Sequence, residues 1–209
     1  MLAIASVAPT SFAMRAPLAN LKMQEAVTAE EPPAPFNGVT FAKTLPGITG
    51  PLDFFDPLGF CSQEGITEGK IRFYREVELK HARVAMLAAL GFPVAESFHP
   101  LFGGGIDVPS YIAFQETPLQ TFWPAVMLVL SGIEVFSVFS FNSPFGGEPW
   151  SIRSDYRNGD LGFDPLGLAP ESEAEFKEMQ TKELNNGRLA MIAIAGMVGQ
   201  ELATGAKLF

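Results

Sequence analysis

The sequence predicts an all-α membrane protein of three transmembrane helices, the first and third crossed and related by a pseudo-two-fold. Three observations carry that prediction. The segment Glu78-Leu-Lys-His-Ala-Arg83-Val-Ala-Met-Leu-Ala-Ala-Leu-Gly91 returns 105 residues later as Glu183-Leu-Asn-Asn-Gly-Arg188-Leu-Ala-Met-Ile-Ala-Ile-Ala-Gly196, with seven of fourteen positions identical. Between the two copies, Phe122 to Phe141 forms a run of 20 residues with a single charge, Glu134. No Lys or Arg occurs between Arg83 and Arg153, which fits segments separated by a bilayer.

Composition agrees. The chain has 209 residues, 19 of them Phe, with 18% charged residues and a mean hydropathy of +0.19, apolar for a soluble domain. A net charge of −9 argues against a nucleic-acid surface. The single cysteine, Cys61, excludes an intramolecular disulfide framework and a Cys-based metal site, and is assigned no role.

Residues 1–23 are small and apolar, with no acid before Glu25, and read as a targeting segment or its remnant. Pro, Glu and Ala then give a flexible linker to about Pro35, so the domain proper is expected over residues 36–209. The first span is placed from near Arg72 to about Ser97, with Gly91 and Pro93 weakening its far end; a soluble amphipathic helix is the alternative there. The second, 122–141, matches the hydrocarbon thickness at about 1.5 Å per residue. The third, Leu184 to Leu202, carries Asn185, Asn186, Arg188 and Gln200. Lys70, Arg72, Arg75 and Lys80 lie just before the first apolar run, and Arg153, Arg157, Lys177 and Lys182 lie between the second and third. Only Lys207 follows the third, so the N-terminus is placed on the basic side. The connections are rich in Pro and Gly, and nothing alternates long enough for a sheet.

A Glu and an Arg entering an apolar helix are costly unless they pair or bind something. Five residues apart, Glu78 and Arg83 sit roughly 140° apart around a helix and do not easily meet; Glu183 and Arg188 share the difficulty. Exchange solves it, with Glu78 paired to Arg188 and Glu183 to Arg83. Small residues at Ala82/Gly187, Ala85/Ala190 and Gly91/Gly196 would admit a close approach. A carboxylate so paired keeps lone pairs for a hard cation such as Mg²⁺, as do amide oxygens. His81 and Asn186 stand at equivalent places, and Gln200 lies nearly four turns beyond Asn186. Such separated single donors suit a metal that already carries a macrocycle. Alone, His81 or Gln200 would read as a structural polar group.

Each copy is preceded by the same turn, Phe55-Asp56-Pro57-Leu58-Gly59 and Phe163-Asp164-Pro165-Leu166-Gly167. Turn and motif together, in order and twice, resemble the chlorophyll-binding light-harvesting complex superfamily over roughly residues 50 to 205. Phe98-His-Pro-Leu-Phe-Gly-Gly and the segment from Val108 to Pro124 are similar to its fucoxanthin chlorophyll a/c branch. Phe12 in Thr-Ser-Phe-Ala resembles the residue that opens the transit part of such plastid presequences. The resemblance implies Glu78, His81, Glu183, Asn186 and Gln200 as axial ligands of chlorophyll magnesium, with Glu134, Gln120 and the loop residue His99 as further candidates. It implies Arg83 and Arg188 as ion-pair partners, and Asp56, Pro57, Asp164 and Pro165 as neighbours of two carotenoids. The cofactors implied are chlorophyll a, chlorophyll c and fucoxanthin or a related carotenoid.

The function so implied is a light-harvesting antenna in the plastid thylakoid membrane. Its partners would be membrane lipids, a photosystem core and other antenna subunits, with no nucleic acid and no enzymatic turnover. A photoprotective member that dissipates excitation is the near alternative. A small transporter using the intramembrane Glu, Arg and His is the distant one.

Overall fold

Two long helices carry the two copies of the repeat. In the computed structural model, which describes residues 36–118, 120–142, 148–170 and 172–208, they are α2 (Glu68–Ser97) and α5 (Glu173–Thr204). Around them lie α1 (Gly38–Thr44), the short α3 (Ala113–Glu116) and α4 (Phe122–Val138), with 3-10 turns at Phe60–Ser62 and Leu101–Gly104. The targeting segment and linker expected over residues 1–35 fall outside the described residues. Among the described residues the extended backbone makes only isolated bridges, Thr49 with Asp53 and Phe141 with Ile152.

Helix α2 is started by Thr67, whose hydroxyl accepts from the Lys70 N–H at 3.4 Å. It runs through Gly91 and Pro93 rather than fading there. Pro93 removes one N–H from the ladder, and the turn beyond it closes through Ser97 Oγ on the Pro93 carbonyl (2.8 Å) and Phe98 N on the Val94 carbonyl (2.8 Å). Helix α5 begins eleven residues before the expected span, in a lead of good helix formers. It stops at Gly205, whose φ of +64° and N–H to the Glu201 carbonyl (2.8 Å) make a left-handed cap.

The two helices pack through a stripe of small and branched residues in steps of three. Leu79, Ala82 and Ala85 are buried on α2; Leu184, Gly187 and Ala190 are buried on α5, each 105 residues on. At Gly187 a Cβ would lie 2.2 Å from that of Ala82. Gly91 and Gly196, expected to continue this approach, have nothing within 4 Å of a Cβ. The close contact is confined to about two turns, so these two glycines do not serve it.

Helix α4 ends at Val138, short of the expected Phe141. Ser137 and Ser140 turn their hydroxyls back onto the Glu134 and Ser137 carbonyls (2.8 and 2.6 Å), and Phe141 enters its bridge with the buried Ile152. Lys80 of α2 joins α4, donating to Glu134 and to Ser137 Oγ (2.9 Å). Among the described residues no helix is long and apolar enough to cross a membrane. Helix α4 is apolar but has 17 residues, while α2 and α5, with 30 and 32, are interrupted by charge.

At the far ends of α2 and α5, Glu96 and Glu201 gather the connecting chain. Glu96 accepts from Ser110 Oγ (3.1 Å) and from Leu208 N (2.8 Å), and the fully buried Glu201 accepts from Tyr111 N (2.9 Å). Polar groups thus sit inside while Val84, Leu87, Leu90, Leu128, Leu189 and Ile192 point outward.

Candidate functional site

The charges that begin each apolar run meet across the helix pair. Arg83 Nε donates to Glu183 Oε1 at 2.7 Å, and Arg188 Nε donates to Glu78 Oε1 at 2.8 Å. Each guanidinium has a second acceptor in a loop: Arg83 Nη2 on the Gly159 carbonyl (2.9 Å), Arg188 Nη1 on the Gly47 carbonyl (2.6 Å). The same glycines are held by their N–H groups, Gly159 on Glu76 Oε2 (2.9 Å) and Gly47 on Thr181 Oγ1 (3.2 Å). Both have positive φ, +79° and +93°, and a Cβ on Gly159 would come within 2.8 Å of Arg83 Nη2. Each loop leading into a turn is therefore clamped by the helix of the other copy.

The turns repeat as closely. Asp56 accepts from Phe60 N (3.0 Å) and Cys61 N (2.9 Å), and Asp164 accepts from Leu168 N (3.1 Å) and Ala169 N (2.9 Å). Pro57 and Pro165 follow with φ preset for the turn. The Cys61 N–H foremost holds the Asp56 carboxyl below its ordinary value of 3.8, and the Ala169 N–H does so for Asp164. A folded-state value below the unfolded one means stabilisation that is complete above about pH 4. It fades as pH falls through the depressed value. Asp56→Asn and Asp164→Asn together are expected to lower the melting temperature at pH 7 and to flatten its decline as pH falls below about 4, where the wild-type carboxylates protonate. Parallel wild-type and variant curves would refute the role.

The candidate ligands stand apart from one another. His81 is exposed on α2, and its Nδ1 lies 2.8 Å from the Val77 carbonyl; a proton on Nδ1 then leaves the Nε2 lone pair facing outward. Asn186 and Gln200 are exposed on α5, and neither side chain has a hydrogen-bond partner among the described residues. Glu134 pairs with Lys80 and accepts from Ser137 Oγ (3.1 Å) through one oxygen, Oε2. Gln120 is exposed in the turn before α4. His99 is half-buried beside Phe102, with a buried Nδ1 that finds no partner among the described residues. The structure brings together Glu78 with Arg188 and Glu183 with Arg83; it leaves the other candidates as separate single donors.

These donors fit a magnesium tetrapyrrole. Among the described residues no group of three or more His, Cys, Asp or Glu converges on one point as a bare ion would need. His81 instead offers one nitrogen held in orientation from behind, among the exposed Val84 and Leu87. A cavity of about 920 Å³ opens beside the first copy between Phe54, Phe55, Asp56, Tyr74, Val77 and Arg188, large enough for the end of an elongated apolar ligand.

Sequence reading passed over several members of this constellation. Gly47, Gly159 and Thr181 lie outside the aligned motif, and only the fold shows them clamped. Glu96 and Glu201 had a signal, since the 105-residue offset continues past Gly91 and Gly196 to pair two more glutamates. Beside Gly159, Tyr156 donates to Glu76 at 3.4 Å, and burial first, then Glu76, push its hydroxyl up to about 12.

Comparison with known proteins gives these features a family. The profile described as "Chlorophyll A-B binding protein" matches residues 41–202. Light-harvesting complex stress-related protein 1 of Chlamydomonas reinhardtii is 46% identical over 184 residues, covering 85% of this chain and 72% of the relative. A fucoxanthin-chlorophyll a-c binding protein of Isochrysis galbana is 41% identical over 212 residues, 98% of this chain and 94% of the relative. A chlorophyll a-b binding protein of Petunia hybrida is 32% identical over 205 residues, 91% and 73% respectively. All three names carry the word chloroplastic. The chain belongs to the chlorophyll-binding light-harvesting family, on the side of its stress-related and fucoxanthin-chlorophyll a-c members.

Proposed function

We propose that this chain is an antenna protein of the plastid thylakoid membrane. On this reading α2, α4 and α5 are three spans, α2 and α5 cross at the Ala82–Gly187 contact, and residues 1–35 are the remnant of a plastid presequence and its linker. The chain holds chlorophylls a and c with fucoxanthin or a related carotenoid, and passes excitation to a photosystem core and neighbouring antenna subunits. Glu78, His81, Glu183, Asn186 and Gln200 hold magnesium; Glu134, Gln120 and His99 are further ligands. The Asp56-Pro57 and Asp164-Pro165 turns border two carotenoids. Bound chlorophyll supplies the light absorption, and the chain supplies spacing, orientation and local field. No substrate is turned over.

The observation that carries this reading is His81, an oriented and outward-facing donor on an apolar helix face. In lipid such a group is costly unless something accepts it. His81→Leu is expected to remove one chlorophyll per chain, with little change in helix content, since leucine suits an apolar face. Pigment extraction and chromatography on the purified protein read the count, and an unchanged count refutes the assignment. The transporter alternative predicts a colourless preparation.

A second reading, dissipation of excitation rather than delivery, is supported by the stress-related relatives, which are 46% identical to this chain. The excited-state lifetime of the isolated complex separates the two: long for an antenna, shortened for a quencher.

A further inference from the structure

Among the positions where the two copies differ, two adjacent ones bring charge onto the ion pairs. Lys80 opposite Asn185 and Lys182 opposite Val77 also differ in charge but pair elsewhere, with Glu134 and Glu178. Arg75 of α2 has Gln180 as its counterpart on α5, and Glu76 has Thr181. Arg75 Nη1 donates to Glu78 Oε2 at 2.8 Å while Arg188 Nε holds Oε1 at 2.8 Å, so Glu78 carries a guanidinium on each oxygen. The first cluster of Glu78, Arg75 and Arg188 has a formal charge of +1. In the second, Gln180 turns away to the Asn158 carbonyl (3.4 Å), and Arg83 is the one cation paired with Glu183 among the described residues. The buried Glu76 accepts from the N–H of the same Gly159 whose carbonyl binds Arg83. Glu183, Arg83 and Glu76 sum to −1. Arg72, nearby, pairs with Glu68 at 2.7 Å and adds nothing net.

We propose that Arg75 and Glu76 are specificity-determining residues that make the two sister chlorophyll sites unequal in affinity and in colour. The inference rests on the reading that Glu78 and Glu183 hold magnesium. A carboxylate whose two oxygens both accept from guanidinium groups has less electron density to give a metal than Glu183, whose Oε2 has no hydrogen-bond partner among the described residues. A change of this kind around a ligand is worth about tenfold in metal affinity. The Glu78 pigment is the more easily lost of the two. Charge of opposite sign beside otherwise equivalent rings also separates their absorption bands, because unit charges act strongly where water is excluded.

The test refolds the full chain with chlorophyll a and fucoxanthin. Glu78→Gln and Glu183→Gln are each expected to remove one chlorophyll and one component of the low-temperature absorption spectrum, which assigns the two bands. If neither removes a pigment, the underlying ligand reading fails. With the bands assigned, Arg75→Gln shifts the Glu78 band alone and makes its pigment about tenfold better retained in a detergent-dilution series. Glu76→Gln keeps an acceptor for Gly159 but drops the charge, and shifts the Glu183 band alone. Gln180→Arg, at a position outside the buried stripe, places a second guanidinium beside Glu183 and loosens that pigment. Stationary bands and an unchanged order of loss in Arg75→Gln and Gln180→Arg, alongside the losses in the two glutamate variants, would overturn the inference.

Discussion

Glu183→Gln is expected to cost the complex one chlorophyll and about 1–2 kcal/mol of stability at once, because a single carboxylate serves both purposes. Its Oε1 neutralises Arg83 at 2.7 Å, and its Oε2 is left for a ligand. Glutamine keeps the length but removes the charge. Arg83 then holds only the Gly159 carbonyl, as a half-buried cation without its counter-charge. Glu78→Gln strands two guanidiniums, Arg75 and Arg188, and should be the more damaging variant. The two losses can be separated. Adding Arg83→Leu to Glu183→Gln removes the orphaned cation, so part of the melting temperature returns while the pigment does not. Pigment stoichiometry and thermal melting of the three proteins, measured side by side, decide the matter. A Glu183→Gln protein with wild-type pigment content and wild-type melting would sink the role.

The exchange of partners was legible because helix geometry forbids the alternative. Five residues put Glu78 and Arg83 on different faces, so a repeated pair must look outward for its complement. The turns were legible for a similar reason: an Asp-Pro step between apolar residues has few uses other than binding the backbone N–H groups that follow. What stayed hidden depends on approach between segments far apart in the chain. Gly159 meets Glu76 across 83 residues and Gly47 meets Arg188 across 141, and neither glycine differs in sequence from an ordinary turn glycine. Gly91 and Gly196 are as small as Ala82 and Gly187, yet nine residues turn them about 180° around their helices, and a Cβ there would meet nothing within 4 Å. A repeated small residue signals a close approach only where its spacing also keeps it on the contact face. The end of α4 was hidden likewise, since the bridge from Phe141 to Ile152 redirects the chain. Lys80, read as one of the basic residues before the first apolar run, reaches across to Glu134, a pairing over 54 residues that spacing does not reveal.

The contact that survives this test makes the other large prediction. Gly187→Ala should destabilise the protein by about 1–3 kcal/mol even though alanine is the better helix former by about 1 kcal/mol. The added methyl would sit 2.2 Å from Ala82 Cβ and 3.1 Å from Ala82 Cα, and Ala82 is fully buried with nowhere to retreat. Relief requires the helices to separate, and separation lengthens both the Arg83–Glu183 and Arg188–Glu78 contacts that flank the site. The pseudo-symmetry supplies the rescue. Moving the methyl from one helix to the other, as Ala82→Gly with Gly187→Ala, restores the total volume between them and should recover most of the lost melting temperature. A Gly187→Ala protein as stable as wild type would mean that the helices are not pressed together here. Failure of the double variant to recover would mean that Gly187 is needed for something other than room for Ala82.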